Sequence, residues 1–131
     1  LPISTFSPPA HRVGPQRLTQ AGNTMTLDWP WSRLEILQVT ASPSMLPVLA
    51  GGNQVILAQY NSSDFVQVGD IILYTIMRDD MGGMARIIHV VVEIGYDPEW
   101  YCIAQGYNNP SPDPLKIRYS QIGGYALGVF W

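Results

Sequence analysis

Charge is scarce in this chain. Asp, Glu, Lys and Arg together make up 13% of its 131 residues, about half the ~25% usual in folded proteins. Disordered chains are rich in charge and poor in aromatics, whereas here 47% of residues are hydrophobic and 11% aromatic. The length fits one folded domain, able to bury roughly two-thirds of its unfolded surface. So little charge suits a broad partner interface, a membrane-adjacent life or a quiet extracellular surface. The net charge is −3, and the seven Lys and Arg are scattered. With no basic run and no aromatic–basic cluster, nucleic acid is not expected as a partner.

Other absences narrow the chemistry. The single cysteine, Cys102, cannot close an internal disulfide and excludes a cysteine-rich metal site. Its neighbours, EWYCIA, read as a strand around a buried structural thiol. Two scattered histidines and one cysteine leave no cofactor or metal expected. Lysine is nearly absent: Lys116 stands alone, three residues after Asp113 in a charged, loop-flanked segment. A Ser–Lys dyad needs a buried lysine of depressed pKa, and Lys116 reads as solvated. No apolar run reaches the ~18–20 residues that span a bilayer. A chain opening on Leu1 rather than Met reads as a processed or trimmed product, which leaves room for an upstream membrane anchor.

What is present is mostly strand and turn. Residues 1–30 look like an extended Pro-rich arm or linker, with four prolines before position 16 breaking helix and interior strand alike. Residues 31–131 form the predicted β domain. RLEILQVT (33–40), NQVILAQY (53–60), GDIILYTIM (69–77), MARIIHVVVEIG (84–95), EWYCIAQ (99–105) and LKIRYSQIGGYALGVF (115–130) are the predicted strands. The last splits near Gly123–Gly124. Gly, Pro and Asn turns separate them, with no long 3.6-residue stripe and no repeat. The spacing predicts an all-β domain, an antiparallel sandwich or partly closed barrel.

The nucleophile question centres on ASPSML (41–46). Pro43 fixes its own φ and pushes Ser42 toward an extended backbone, which stiffens the Ser42–Ser44 pair. A backbone N–H at Ser44 and a hydroxyl at Ser42 aimed at one point would make an oxyanion hole. A serine also needs a base. His11 lies in the Pro-rich arm and reads as a solvated loop residue. His89 sits mid-strand; a period-2 count groups it with Ile87, Val91 and Glu93, opposite Ile88, Val90, Val92 and Ile94, and so away from the driest layer. A neutral imidazole, with a reference pKa of ~6.5, is a competent base near neutrality.

Several segments, in order across residues 37–130, carry a resemblance. SPSMLP resembles the Ser-x-Ser-Met-x-Pro box of type I signal peptidases, and VQVGDIILY (66–74) their Gly-Asp-Ile strand. RIIHVVV (86–92) is similar to the Ile-Val-His-Arg-Val strand of the archaeal and endoplasmic-reticulum branch, whose base is His rather than Lys. AQGYNNPSPD (104–113) and IGGYALGVF resemble the family's two closing motifs. Pro43, Val90, Gln105 and Tyr107 stand where the family has Gly, Arg, Lys and Asp, and Gly52-Asn53 where it has a first Gly-Asp.

The resemblance implies a β fold of the signal-peptidase type and assigns roles: Ser44 nucleophile, His89 general base, Asp113 orienter of the histidine, Ser42 oxyanion helper, Asp70 a supporting position. It implies a serine endopeptidase that cuts signal peptides from secretory precursors after small residues. The expected partners are an extended peptide segment of such a precursor and a membrane surface, which Trp29 and Trp31 would suit unless they pack in the core. The expected place is the extracytoplasmic face of a membrane, or secreted. The competing reading is a catalytically inactive domain of the same fold, serving as a structural or assembly subunit and self-associating through its N-terminal arm. A self-cleaving repressor of the Ser–Lys type shares the fold, but the placement of Lys116 argues against it.

Overall fold

The computed structural model describes residues 12–40, 42–78 and 83–131; residues 1–11 of the Pro-rich arm, His11 among them, and Ala41 lie outside them. The described chain is all-β. Its strands are β1 (Leu18–Ala21), β2 (Thr24–Leu27), β3 (Glu35–Gln38), β4 (Gln54–Ala58), β5 (Ile71–Arg78), β6 (Gly83–Tyr96), β7 (Trp100–Gln105), β8 (Ile117–Arg118) and β9 (Ile122–Phe130). β1 and β2 form a hairpin, and the other seven make one sheet in the order β3-β4-β9-β5-β6-β7-β8. Every pairing is antiparallel, and the described strands do not close into a barrel.

The long apolar runs IILYTI and IIHVVV arise because the central sheet is covered on both faces, so neither face needs polar residues. Ile72, Tyr74, Ile87 and Val91 belong to one core cluster, with Cys102, Ala104 and Tyr125. Ile71, Leu73, Ile88 and Val90 belong to the other, with Met45, Leu49, Leu57 and Tyr107. This alters the expectation for His89. It does share a face with Ile87 and Val91, but that face has a dry core of its own, and His89 is buried. Glu93 leaves the predicted alternation because a bulge shifts the register between Val91 and Glu93.

The last predicted strand divides at Tyr119–Gln121, a 3-10 turn, rather than at the two glycines. Gly124 pairs with Leu73 and Ile122 with Tyr74, so Gly123 is the extra residue of a bulge within β9, a common place for glycine. Cys102 is buried and free, and burial pushes its thiol up to about 12, which leaves it neutral and unreactive.

Between residues 12 and 30, three ties fasten the chain. Arg12 donates through Nε to Asp70 Oδ1 at 2.8 Å and through Nη2 to the Phe65 carbonyl at 2.6 Å, and its guanidinium lies 5.0 Å from the Tyr125 ring centroid. Arg17 pairs with Asp28 at 3.1 Å and covers the Trp31 ring at 4.4 Å. Trp29 packs on the first core cluster, while Trp31 stays half exposed. The β1–β2 hairpin escapes sequence reading because seven of its eight residues are exposed, which leaves no apolar alternation to detect.

Asp70 has no exposed side-chain surface. It also accepts from Tyr60 Oη and from the Gln67 N–H. Burial first, and the Asp70 charge second, hold the Tyr60 phenol well above its ordinary range, so it remains a donor. Removing one partner of a buried ion pair strands the other charge. Arg12→Ala is therefore expected to destabilise the fold by about 3–5 kcal/mol, read as a lower denaturant midpoint at unchanged slope.

Candidate active site

Ser44 sits in a single 3-10 turn, Pro43–Met45, capped by Ser42. The turn explains the proline. Its fixed φ suits the first helical position, where a missing N–H costs nothing. Ser42 is extended, at φ −158° and ψ 135°, as the residue before a proline should be. The cap brings the two hydroxyls together: Ser42 Oγ lies 3.1 Å from Ser44 Oγ and accepts from the Ser44 N–H at 3.4 Å. The turn is pinned by Met45, which is buried in the second core cluster.

His89 reaches this turn from β6. Its Nε2 lies 3.0 Å from Ser44 Oγ, and its Nδ1 lies 2.6 Å from Asp113 Oδ2. An ionised carboxylate can only accept, so Nδ1 carries the ring proton and Nε2 is left to accept from the serine hydroxyl. The same Oδ2 also accepts from Tyr74 Oη. The His89 and Asp113 side chains are 11% and 16% exposed, dry enough to strengthen these bonds yet open at the serine.

Asp113 and Ser44 are held by one loop between β7 and β8. The Asp113 N–H donates to the Ala104 carbonyl at 2.8 Å, which fixes the aspartate beside the end of β7. Earlier in the loop the Asn108 N–H donates to the Ser44 carbonyl at 2.8 Å, and Asn109 N–H closes back on Gly106 O at 3.0 Å. Gln105 Nε2 braces the turn through the Asn109 carbonyl at 2.8 Å. The loop can lie this close to Ser44 only because residue 106 has no side chain: a Cβ there would stand 2.5 Å from the Ser44 carbonyl oxygen.

Two clefts flank the imidazole. The first, about 510 Å³, is bordered by Leu37–Thr40 on one side and Ala85–His89 on the other, with Ser42, Ser44 and Met45 at one end. Among the described residues both borders are unpaired strand edges. β3 is the outermost strand of the sheet, and β7 covers β6 only from Val90 onward. Val39 exchanges its main-chain bonds with Gly52 and Asn53, and Val91 with Gly69 and Asp70. By alternation the main-chain groups of Gln38 and Thr40, and of Arg86 and Ile88, face the gap. The second cleft, about 480 Å³, lies on the other side of His89, between Tyr74, Ile87, Asp113 and Leu115.

The structure thus brings together Ser44, His89, Asp113 and Ser42. Asp70 lies apart in its ion pair with Arg12, and Lys116 is on the surface, 3.0 Å from Asp97. Among the described residues no group of His, Cys, Asp and Glu is arranged as a metal site, and no helix is long and apolar enough to cross a membrane. Sequence reasoning missed Tyr74 and Gly106. A tyrosine amid isoleucines reads as core, and a glycine before Asn-Asn reads as a turn; a tyrosine two places beyond an isoleucine paired to the histidine becomes visible only once the β5–β6 register is known. No family model matches the chain, nor does any curated protein or solved structure.

Chemically, the arrangement can move the Ser44 proton to His89 while the Asp113 charge balances the imidazolium, the requirement for an activated serine. Gly106→Ala is expected to push the loop off Ser44 and open the His89–Ser44 contact. A crystal structure of that variant should show the contact beyond 3.5 Å, with the central sheet unchanged.

Proposed function

We propose that this chain is a serine endopeptidase of the signal-peptidase type, which removes signal peptides from secretory precursors after small residues. The observation that carries the reading is the continuous hydrogen-bonded chain Ser44–His89–Asp113 opening onto a cleft between two strand edges that are unpaired among the described residues. The order of motifs that resembles the type I signal peptidases supplies the substrate class.

In this reading an extended peptide lies in the first cleft. Main-chain bonds to Gln38 and Thr40 on one side and Arg86 and Ile88 on the other supply affinity, and alternate side chains enter the cleft. Val39, Met45, Leu73 and Ile88 narrow its floor, which favours small residues just before the cut and two positions earlier. Ser44 Oγ attacks the peptide carbonyl as its proton passes to His89 Nε2. The tetrahedral oxyanion is received by the Ser44 N–H and the Ser42 hydroxyl, whose contact at 3.4 Å is long and easily given up. Collapse transfers the proton from His89 to the leaving amine and leaves an acyl-serine. Water, deprotonated by the same imidazole, releases the acid and restores Ser44. Asp113 holds the tautomer and the imidazolium charge throughout.

The reading places the chain at the extracytoplasmic face of a membrane or among secreted proteins, where secretory precursors are met. Met77 and Met84, paired beside the connecting turn of the β5–β6 hairpin and both exposed, give that end apolar surface suited to a bilayer interface.

Ser44→Ala should lower cleavage of a precursor carrying an Ala-x-Ala site by about 10⁶-fold while circular dichroism and thermal midpoint stay as in the parent. Full activity in that variant removes Ser44 from the mechanism. An inactive assembly subunit would instead leave Ser44 inert to a peptide-like acylating probe.

A further inference from the structure

We propose that Tyr74 is a positioning residue of this site: its phenol fixes the Asp113 carboxylate in the orientation that receives the His89 Nδ1 proton. Asp113 lies on a loop, between Pro112 and Pro114, and its backbone is tied to the sheet through its N–H bond to Ala104 at 2.8 Å. The Cβ–Cγ torsion of an aspartate is broad, so one hydrogen bond from His89 sets a distance without setting the carboxylate plane. Tyr74 supplies the second point. Its O–H donates to the same Oδ2 that accepts from His89 at 2.6 Å.

The two donors are themselves held rigidly. Tyr74 is on β5, opposite Ile87, and His89 is opposite Ile72. Both side chains therefore rise from one face of one strand pair, two residues apart in register. The Tyr74 ring is 2% exposed within the first core cluster, which locks its direction. The loop aspartate of the site is thus aimed by two groups on the central strand pair. The second cleft opens beside this junction, lined by Tyr74, His89 and Asp113. Without the phenol, water from that cleft can reach Oδ2 and pull the carboxylate off line.

The test has a spectroscopic half and a kinetic half; only the kinetic half rests on the protease reading. In a His11→Gln background, where His89 is the one remaining histidine, the low-field proton resonance of Nδ1–H reports the bond to Asp113. In Tyr74→Phe that resonance should broaden, move upfield and exchange with water at least about 10-fold faster. Precursor cleavage should lose about 10–100-fold in kcat, since ~1 Å of misplacement can cost up to ~10²-fold, with KM within about twofold. No low-field resonance in the parent, or the same shift and exchange rate in Tyr74→Phe, overturns the proposal. Should Tyr74→Phe fail to fold, incorporation of 3-fluorotyrosine keeps the ring and strengthens the donor; the resonance must then move, and an unmoved resonance overturns the proposal. If the resonance is lost in Tyr74→Phe and the parent cleaves no precursor, positioning by Tyr74 is supported and the protease reading alone is refused.

Discussion

Everything in the site depends on the pairing of β5 with β6. The register Ile72 to His89 and Tyr74 to Ile87 puts the imidazole and the phenol on one face, both within reach of Asp113. A slip of one residue would turn His89 to the opposite face, into the cluster of Leu73, Val90 and Tyr107. Such a slip is opposed from both sides, since each face of the pair has its own buried core. The double packing that holds the sheet is thus also what aims the histidine.

The loop after β7 completes the site without belonging to the sheet. It returns to the Ala104 carbonyl to place Asp113, and on the way it grips the Ser44 carbonyl through Asn108. Ser44 and Asp113 are therefore braced by one segment, residues 105–113, while His89 comes from elsewhere in the chain. Gly106 makes the arrangement sterically feasible. Tyr107, next to it, turns inward and fills the second core cluster; burial pushes its phenol up to about 12. This tyrosine anchors the loop by packing, where the resembling family has an aspartate.

Much of this was legible in the residues, for identifiable reasons. β5 and β6 declare themselves through β-branched runs and β7 through WYCIAQ between Pro98 and Gly106, and their boundaries fall within two residues of the reading. Ser44, His89 and Asp113 could be singled out only together, through the ordered segments that resemble the type I signal peptidases; taken singly, each reads as a turn or structural residue. The face of His89 was misread, because period-2 alternation says which residues share a face but not whether both faces are dry. The β1–β2 hairpin was invisible because Thr19, Gln20, Thr24 and Met25 are all exposed, leaving no buried face to pattern. The Arg12–Asp70 pair, 58 residues apart, and the Tyr74 bond depend on chain paths that no local pattern encodes.

In the proposed reading, the two strand edges beside Ser44, bare among the described residues, would act as a filter on conformation. A helix spends its N–H and C=O groups internally, and a residue inside a finished sheet has already committed its own. Neither has anything to offer Gln38 or Arg86 across the gap. Only a chain that has not yet folded, or has been pulled straight, carries its main-chain groups free on both sides. A groove that takes a peptide in this way would be blind to most of the folded polypeptide around it, and its selectivity would begin with the timing of folding, before any side chain is read.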